Sequence, residues 1–111
     1  MLYISPEDFF RQAAACPRLC PEAQTACAGR MRNGDEAARQ QLRNHYLPMV
    51  AGCIRRLRPQ YQTLSLVYAC VQALEHALDR FDFTQTGETF AHYLSRCLRQ
   101  CTTAHIANYR T

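Results

Sequence analysis

Residues 64–108, LSLVYACVQALEHALDRFDFTQTGETFAHYLSRCLRQCTTAHIAN, decide the fold class. Val67, Cys70, Val71, Leu74, Ala77, Leu78 and Phe81 recur three and four positions apart, which predicts a helix from about Leu64 to Arg80 with one buried side. The polar segment DFTQTGE then reads as a turn, and a further helix is predicted from about Thr89 to Asn108. At about 100° per residue, Phe90, Leu94, Cys97, Leu98, Cys101 and His105 share one side of that last helix. His92, Arg96, Arg99, Thr103 and Arg110 share the other, with Gln100 beside them. The first set is expected to be core. The second carries three arginines, and the chain has no acid after Glu88. A solvated helix face usually mixes both signs, so this stripe points to an anionic partner.

Upstream, the same periodicity recurs between recognisable stops. Ser5-Pro6-Glu7-Asp8 supplies an N-cap, a proline for the first helical position and acids for the first turn, predicting a helix to about Ala15. The prolines of CPRLCPEAQ interrupt it, and Pro21-Glu22 opens a second helix that ends at Asn33-Gly34. Asp35 can cap a third, over residues 35–57, with Leu42, Tyr46, Met49, Val50, Cys53, Ile54 and Leu57 as its apolar stripe. Pro48 lies inside that helix and is expected to kink it or split it in two. With no strand alternation and no repeats, the expected fold is all-α: one domain over residues 1–111, a compact bundle of about five helices.

Composition narrows the function classes. A chain of 111 residues, 48% hydrophobic, is long enough for one modest core and too apolar for disorder. No apolar run approaches the roughly 18 residues of a membrane span, and no signal peptide is read at the start, so no membrane partner and a cytoplasmic location are expected. The net charge of +4 rests on thirteen arginines and no lysine. The planar guanidinium fork suits phosphates and base edges. Seven cysteines, an odd count without a secretory signal and without a C-x-x-C pair, argue against a disulfide framework. Cys97, Cys101 and His105 repeat every fourth residue and so offer either three soft ligands or a buried face of small hydrophobes. The second reading is taken, with no metal and no cofactor. Neither a Gly-rich phosphate loop nor H-E-x-x-H is present, and Asp79 and Asp82 beside Phe81 read as solvating or capping acids. No enzymatic activity is expected.

The order of these motifs resembles the sigma-70 family of bacterial transcription initiation factors, in the segments called regions 1.2 and 2. FFRQAAACPRLCPEAQTACAGRMRNGDEAARQQL is similar, without a gap, to the family's helix, proline break and second helix, with Gly34, Asp35, Ala37, Arg39 and Leu42 in matching places. HYLPMVAGCIRRL looks like the next helix, its Tyr46-x-Pro48 closer to the small extracytoplasmic-function members. LEHALDRFD matches at Leu74, Ala77, Asp79, Phe81 and Asp82, and TFAHYLSRCLRQCTTAHIA at Phe90, Tyr93, Arg99, Gln100 and Thr103.

The resemblance implies a region 1.2-like part over residues 1–33 and a region 2-like part over 34–111. It implies two partners: core RNA polymerase, through a coiled coil of the largest subunit, and the promoter −10 element. The non-template strand of that element is captured single-stranded, with flipped bases stacked on aromatics. Gln100 and Thr103 would face the upstream −10 base pair, Phe90 and Tyr93 would join the strand-capturing cluster, and Arg96, Arg99 and Arg110 would hold phosphates. Ser65, Leu66, Tyr68 and Ala69 fall in the polymerase-docking segment.

The departures are specific. Arg96 and Cys97 stand where the family has tandem tryptophans, and the chain has no Trp. Ser65-Leu66-Val67-Tyr68-Ala69-Cys70 replaces Asp-Leu-Ile-Gln-Glu-Gly, so both docking acids are gone. The turn before Phe90 is one residue longer than the family pattern. No −35-reading domain follows Thr111, so the expectation is either a fragment or a stand-alone relative that needs a partner chain to supply that recognition. These departures define the alternative expectation: a sigma-like protein-interaction module, or a split-factor or regulatory subunit, without promoter melting.

Overall fold

The structure, a computed structural model, describes residues 3–110, and side chains from Tyr3 to Asn108. Helix α1 spans Pro6–Ala14, α2 Pro21–Arg32, α3 Glu36–Arg55, α4 Leu64–Arg80 and α5 Phe90–Arg110, with a 3-10 turn at Pro59–Tyr61. Among the described residues there are five α-helices and no strand, so the fold is the all-α bundle expected.

Four of the five helices start where a side chain accepts from an orphan backbone N–H, and α2 starts instead at Pro21, which has no N–H to satisfy. Ser5 Oγ accepts from Asp8 N (3.0 Å), Asp35 Oδ1 from Ala38 N (3.2 Å), Thr63 Oγ1 from Leu66 N (3.2 Å) and Thr89 Oγ1 from His92 N (3.1 Å). Gly34 ends the α2 segment at φ 92°, a left-handed conformation that only glycine adopts without strain. The reversal there brings α3 back along α2.

Helix α3 is the centre of the molecule and packs on all four others. Its burial therefore extends beyond one stripe: Ala38, Leu42, His45, Leu47, Val50, Ala51 and Ile54 are all buried. Tyr46, Met49, Cys53 and Leu57, expected in the stripe, are half-buried at its margin. The helix runs unbroken through Pro48 from Glu36 to Arg55, so the expected split does not occur. Packing from several sides outweighs the one backbone hydrogen bond that proline removes.

A single core joins Phe9 of α1, Leu42, Leu47 and Ile54 of α3, Leu66 and Leu74 of α4, and Leu94 and Leu98 of α5. Outside it, Arg39 pairs with Glu75 (2.9 Å) and with Asp79, and Arg43 pairs with Glu75 (2.7 Å), which ties α3 to α4. The Tyr68 hydroxyl accepts from Tyr3 N (2.8 Å) and donates to Tyr3 O (3.2 Å), fastening the start of the chain to α4. The principal extents are 41 × 28 × 21 Å. No helix among the described residues is long and apolar enough to cross a membrane.

Candidate nucleic-acid interface

The turn between α4 and α5 is ordered by its own side chains. Asp82 Oδ1 accepts from Thr84 N (2.9 Å), and Gln85 Oε1 accepts from Gly87 N (2.8 Å) and Glu88 N (3.0 Å). This geometry delivers Phe81 and Phe83 to Phe90 at the start of α5. Phe83 stacks on Phe90 (5.2 Å, 22°), while Phe81 and Tyr46 meet Phe90 edge-on at 5.4 and 4.8 Å. Beside this cluster runs an open groove of about 740 Å³, walled by Gln24, Thr25 and Arg32 of α2 and by Phe83, Gln85 and Thr86 of the turn. Aromatic edges, amide and hydroxyl groups and a guanidinium thus face one space.

The outer side of α5 carries the residues read from sequence. His92, Arg96, Arg99, Gln100 and Thr103 are all exposed, and Tyr93 is half-buried beside Phe81 (5.2 Å). The Arg110 side chain lies outside the described residues. Phe90 is 5% exposed, so it supports the cluster from within and offers no free face. Arg96 lies over the Tyr93 ring (5.5 Å) and is held bidentately by Glu88 (Nη2–Oε1 2.9 Å, Nε–Oε2 3.1 Å). Arg99 has no carboxylate partner among the described residues. The stripe is therefore exposed as expected, but one of its cations is already neutralised. Glu88 precedes the helix, so the periodicity of the helix face does not reveal it. Its position eight residues before Arg96 was the available signal.

The segment expected to dock polymerase divides by side. Ser65 and Tyr68 are exposed and Ala69 is half-buried, whereas Leu66 is completely buried in the core. Leu66 serves packing, and the outward set is Ser65, Tyr68 and Ala69. Cys97, Cys101 and His105 are half-buried, and among the described residues no three His, Cys, Asp or Glu side chains converge as metal ligands. Cys101 instead meets Cys70 of α4: the hydrogen bond between these thiols and then burial push the Cys70 thiol far up.

Comparison with known proteins gives a curated relative. Over 101 residues the chain is 30% identical to RNA polymerase sigma factor SigA of Clostridium acetobutylicum, a match covering 90% of this chain and 26% of the relative. The chain thus has a sigma-factor-like relationship and spans about a quarter of that relative's length. No family model matches it, and no solved structure matches it.

Proposed function

We propose that this chain is a sigma-type helical domain that acts in transcription initiation by binding alone, without catalysis, on core RNA polymerase and the promoter −10 element in the cytoplasm. Residues 1–33 are read as region 1.2-like and 34–111 as region 2-like. The observation that carries the reading is the groove between α2 and the α4–α5 turn. It joins the two parts at a space lined by Phe83 and Gln85, with exposed Arg99, Gln100 and Thr103 further along α5 from its Phe90 wall. An unstacked base would enter the groove, and the strand would continue along α5, its phosphates on Arg99 and its base edges at Gln100 and Thr103. Polymerase would dock on the outward Ser65, Tyr68 and Ala69.

Arg96 supports a second reading, in which the domain binds protein and does not melt promoter DNA. Its capture by Glu88 and the burial of Phe90 leave fewer groups for a strand. The two readings separate in fluorescence anisotropy with a single-stranded −10 oligonucleotide. The first expects Phe83→Ala to weaken binding by about 1–3 kcal/mol, the value of one lost stacking contact. It also expects Glu88→Gln to tighten binding by releasing Arg96, with the salt slope steeper by about 0.7 for one added phosphate contact. Polymerase capture without oligonucleotide binding would establish the second reading in its place.

A further inference from the structure

The arginines of this molecule are distributed unevenly in their pairing. Arg39, Arg43 and Arg96 are matched with carboxylates. Arg55, Arg56 and Arg58, at the end of α3 and just beyond it, are exposed, and none has a carboxylate partner among the described residues. The sequence explains why: no acid occurs between Glu36 and Glu75, and none after Glu88. The end of α3 and the outer side of α5 beyond Arg96 therefore form a cationic region without internal neutralisation.

The segment is also held in shape. Arg55 is fixed over the Phe10 ring of α1 at 5.5 Å. Gln62 Nε2 donates to Leu57 O (2.8 Å) and to Arg55 O (3.3 Å), and Pro59–Tyr61 forms a 3-10 turn between them. Helices α3 and α5 pack together, and Arg56, just past the end of α3, and Arg99 of α5 are both within electrostatic reach of Cys53. Burial raises the Cys53 thiol between these helices, and both guanidinium groups act against that rise.

We infer that Arg55, Arg56 and Arg58, together with Arg99, form a second contact surface, one that binds the phosphates of duplex DNA adjoining the strand held at the groove. The inference rests on the nucleic-acid reading above. Duplex is chosen over single strand because this surface has charge and no exposed aromatic platform: Phe10 and Tyr61 are both half-buried. Stacking selects unpaired bases, whereas bare guanidinium groups respond to phosphate density, which in a duplex is about one charge per 1.7 Å of axis. Arg99 lies nine residues beyond Phe90, roughly 14 Å along the helix, so one strand can leave the groove and meet this surface within about four base steps of duplex rise.

The test uses the whole chain and two probes, a 20-base-pair duplex and a single strand of the same sequence, with affinity followed against salt concentration. In the variant R55A/R56A/R58A the duplex slope should fall by about 2–3, three contacts at roughly 0.9 each, with a much smaller change on the single strand. The lysine variant R55K/R56K/R58K should keep the duplex slope, which separates lost charge from lost folding. An unchanged duplex slope in the alanine variant overturns the inference, as does an equal loss on both probes. Loss of polymerase capture with duplex binding intact also overturns it and assigns the surface to protein. If the unaltered chain binds the single strand and not the duplex, this inference fails alone; if it binds neither, the reading under Proposed function fails with it.

Discussion

Leu94 is wholly enclosed where α5 crosses the core, and one residue away Tyr93 looks outward beside the aromatic cluster. Truncation at the first position leaves a cavity that the surrounding leucines cannot fill. Leu94→Ala is expected to cost about 2–5 kcal/mol, read from urea denaturation with circular dichroism. A change below about 0.5 kcal/mol would mean that α5 is not seated as described. The alternation of buried and exposed positions along α5 was legible in the sequence, because helical periodicity alone sorts Leu94 and Leu98 from Arg96, Arg99 and Thr103. The partner of Arg96 was not. Periodicity orders residues within one helix, while Glu88 reaches Arg96 from the preceding turn.

At the scale of elements, the boundaries were readable where a side chain caps. Ser5 and Asp35 stand out because acids follow each in the first turn, whereas Thr63 caps α4 in the same way with no acid after it. Helix α3 shows the limit more clearly. A helix with neighbours on every side loses the contrast between faces, so His45 and Leu47 are buried although neither belongs to the apolar stripe. Its polar link to α4 has a defined centre. Glu75 serves both Arg39 and Arg43, whose side chains are 17% and 15% exposed. Glu75→Gln leaves Arg43 without a carboxylate and is expected to cost about 1–2 kcal/mol, lowering the thermal midpoint by roughly 5–10 °C. The control is exposed Glu7, where the same substitution should stay within about 0.5 kcal/mol.

At the scale of the molecule, the fold class followed from the helices, while the groove could not, because Gln24 and Thr25 meet Phe83 and Gln85 from about 60 residues away. Acid should weaken the bundle in two steps. His45 Nδ1 accepts from Leu19 N at 2.9 Å, and burial, then Arg18, hold the ring's pKa below its ordinary value near 6.5. The unfolded chain therefore binds the proton first, so stability falls as pH drops from about 7 towards 5. Asp8 is held below the ordinary carboxylate range by the Ile4 backbone N–H and then by Gln12, and Asp82 by Thr84. Their contribution is present above about pH 4 and is lost as pH falls through their lowered native values. Denaturation midpoints measured from pH 7 to pH 3 should show both steps, and His45→Gln should flatten the first and spare the second.

The Tyr3–Tyr68 clasp bears on how the chain assembles. It joins residues 65 positions apart, whereas α2 with α3, α3 with α4, and α4 with α5 are successive partners that can zip together locally. Closing so long a loop carries the larger entropic penalty and gains little until the rest is in place. The opening segment is thus expected to seat after the helix pairs and to open before them, which hydrogen exchange at Tyr3 N against the α4 amides would read.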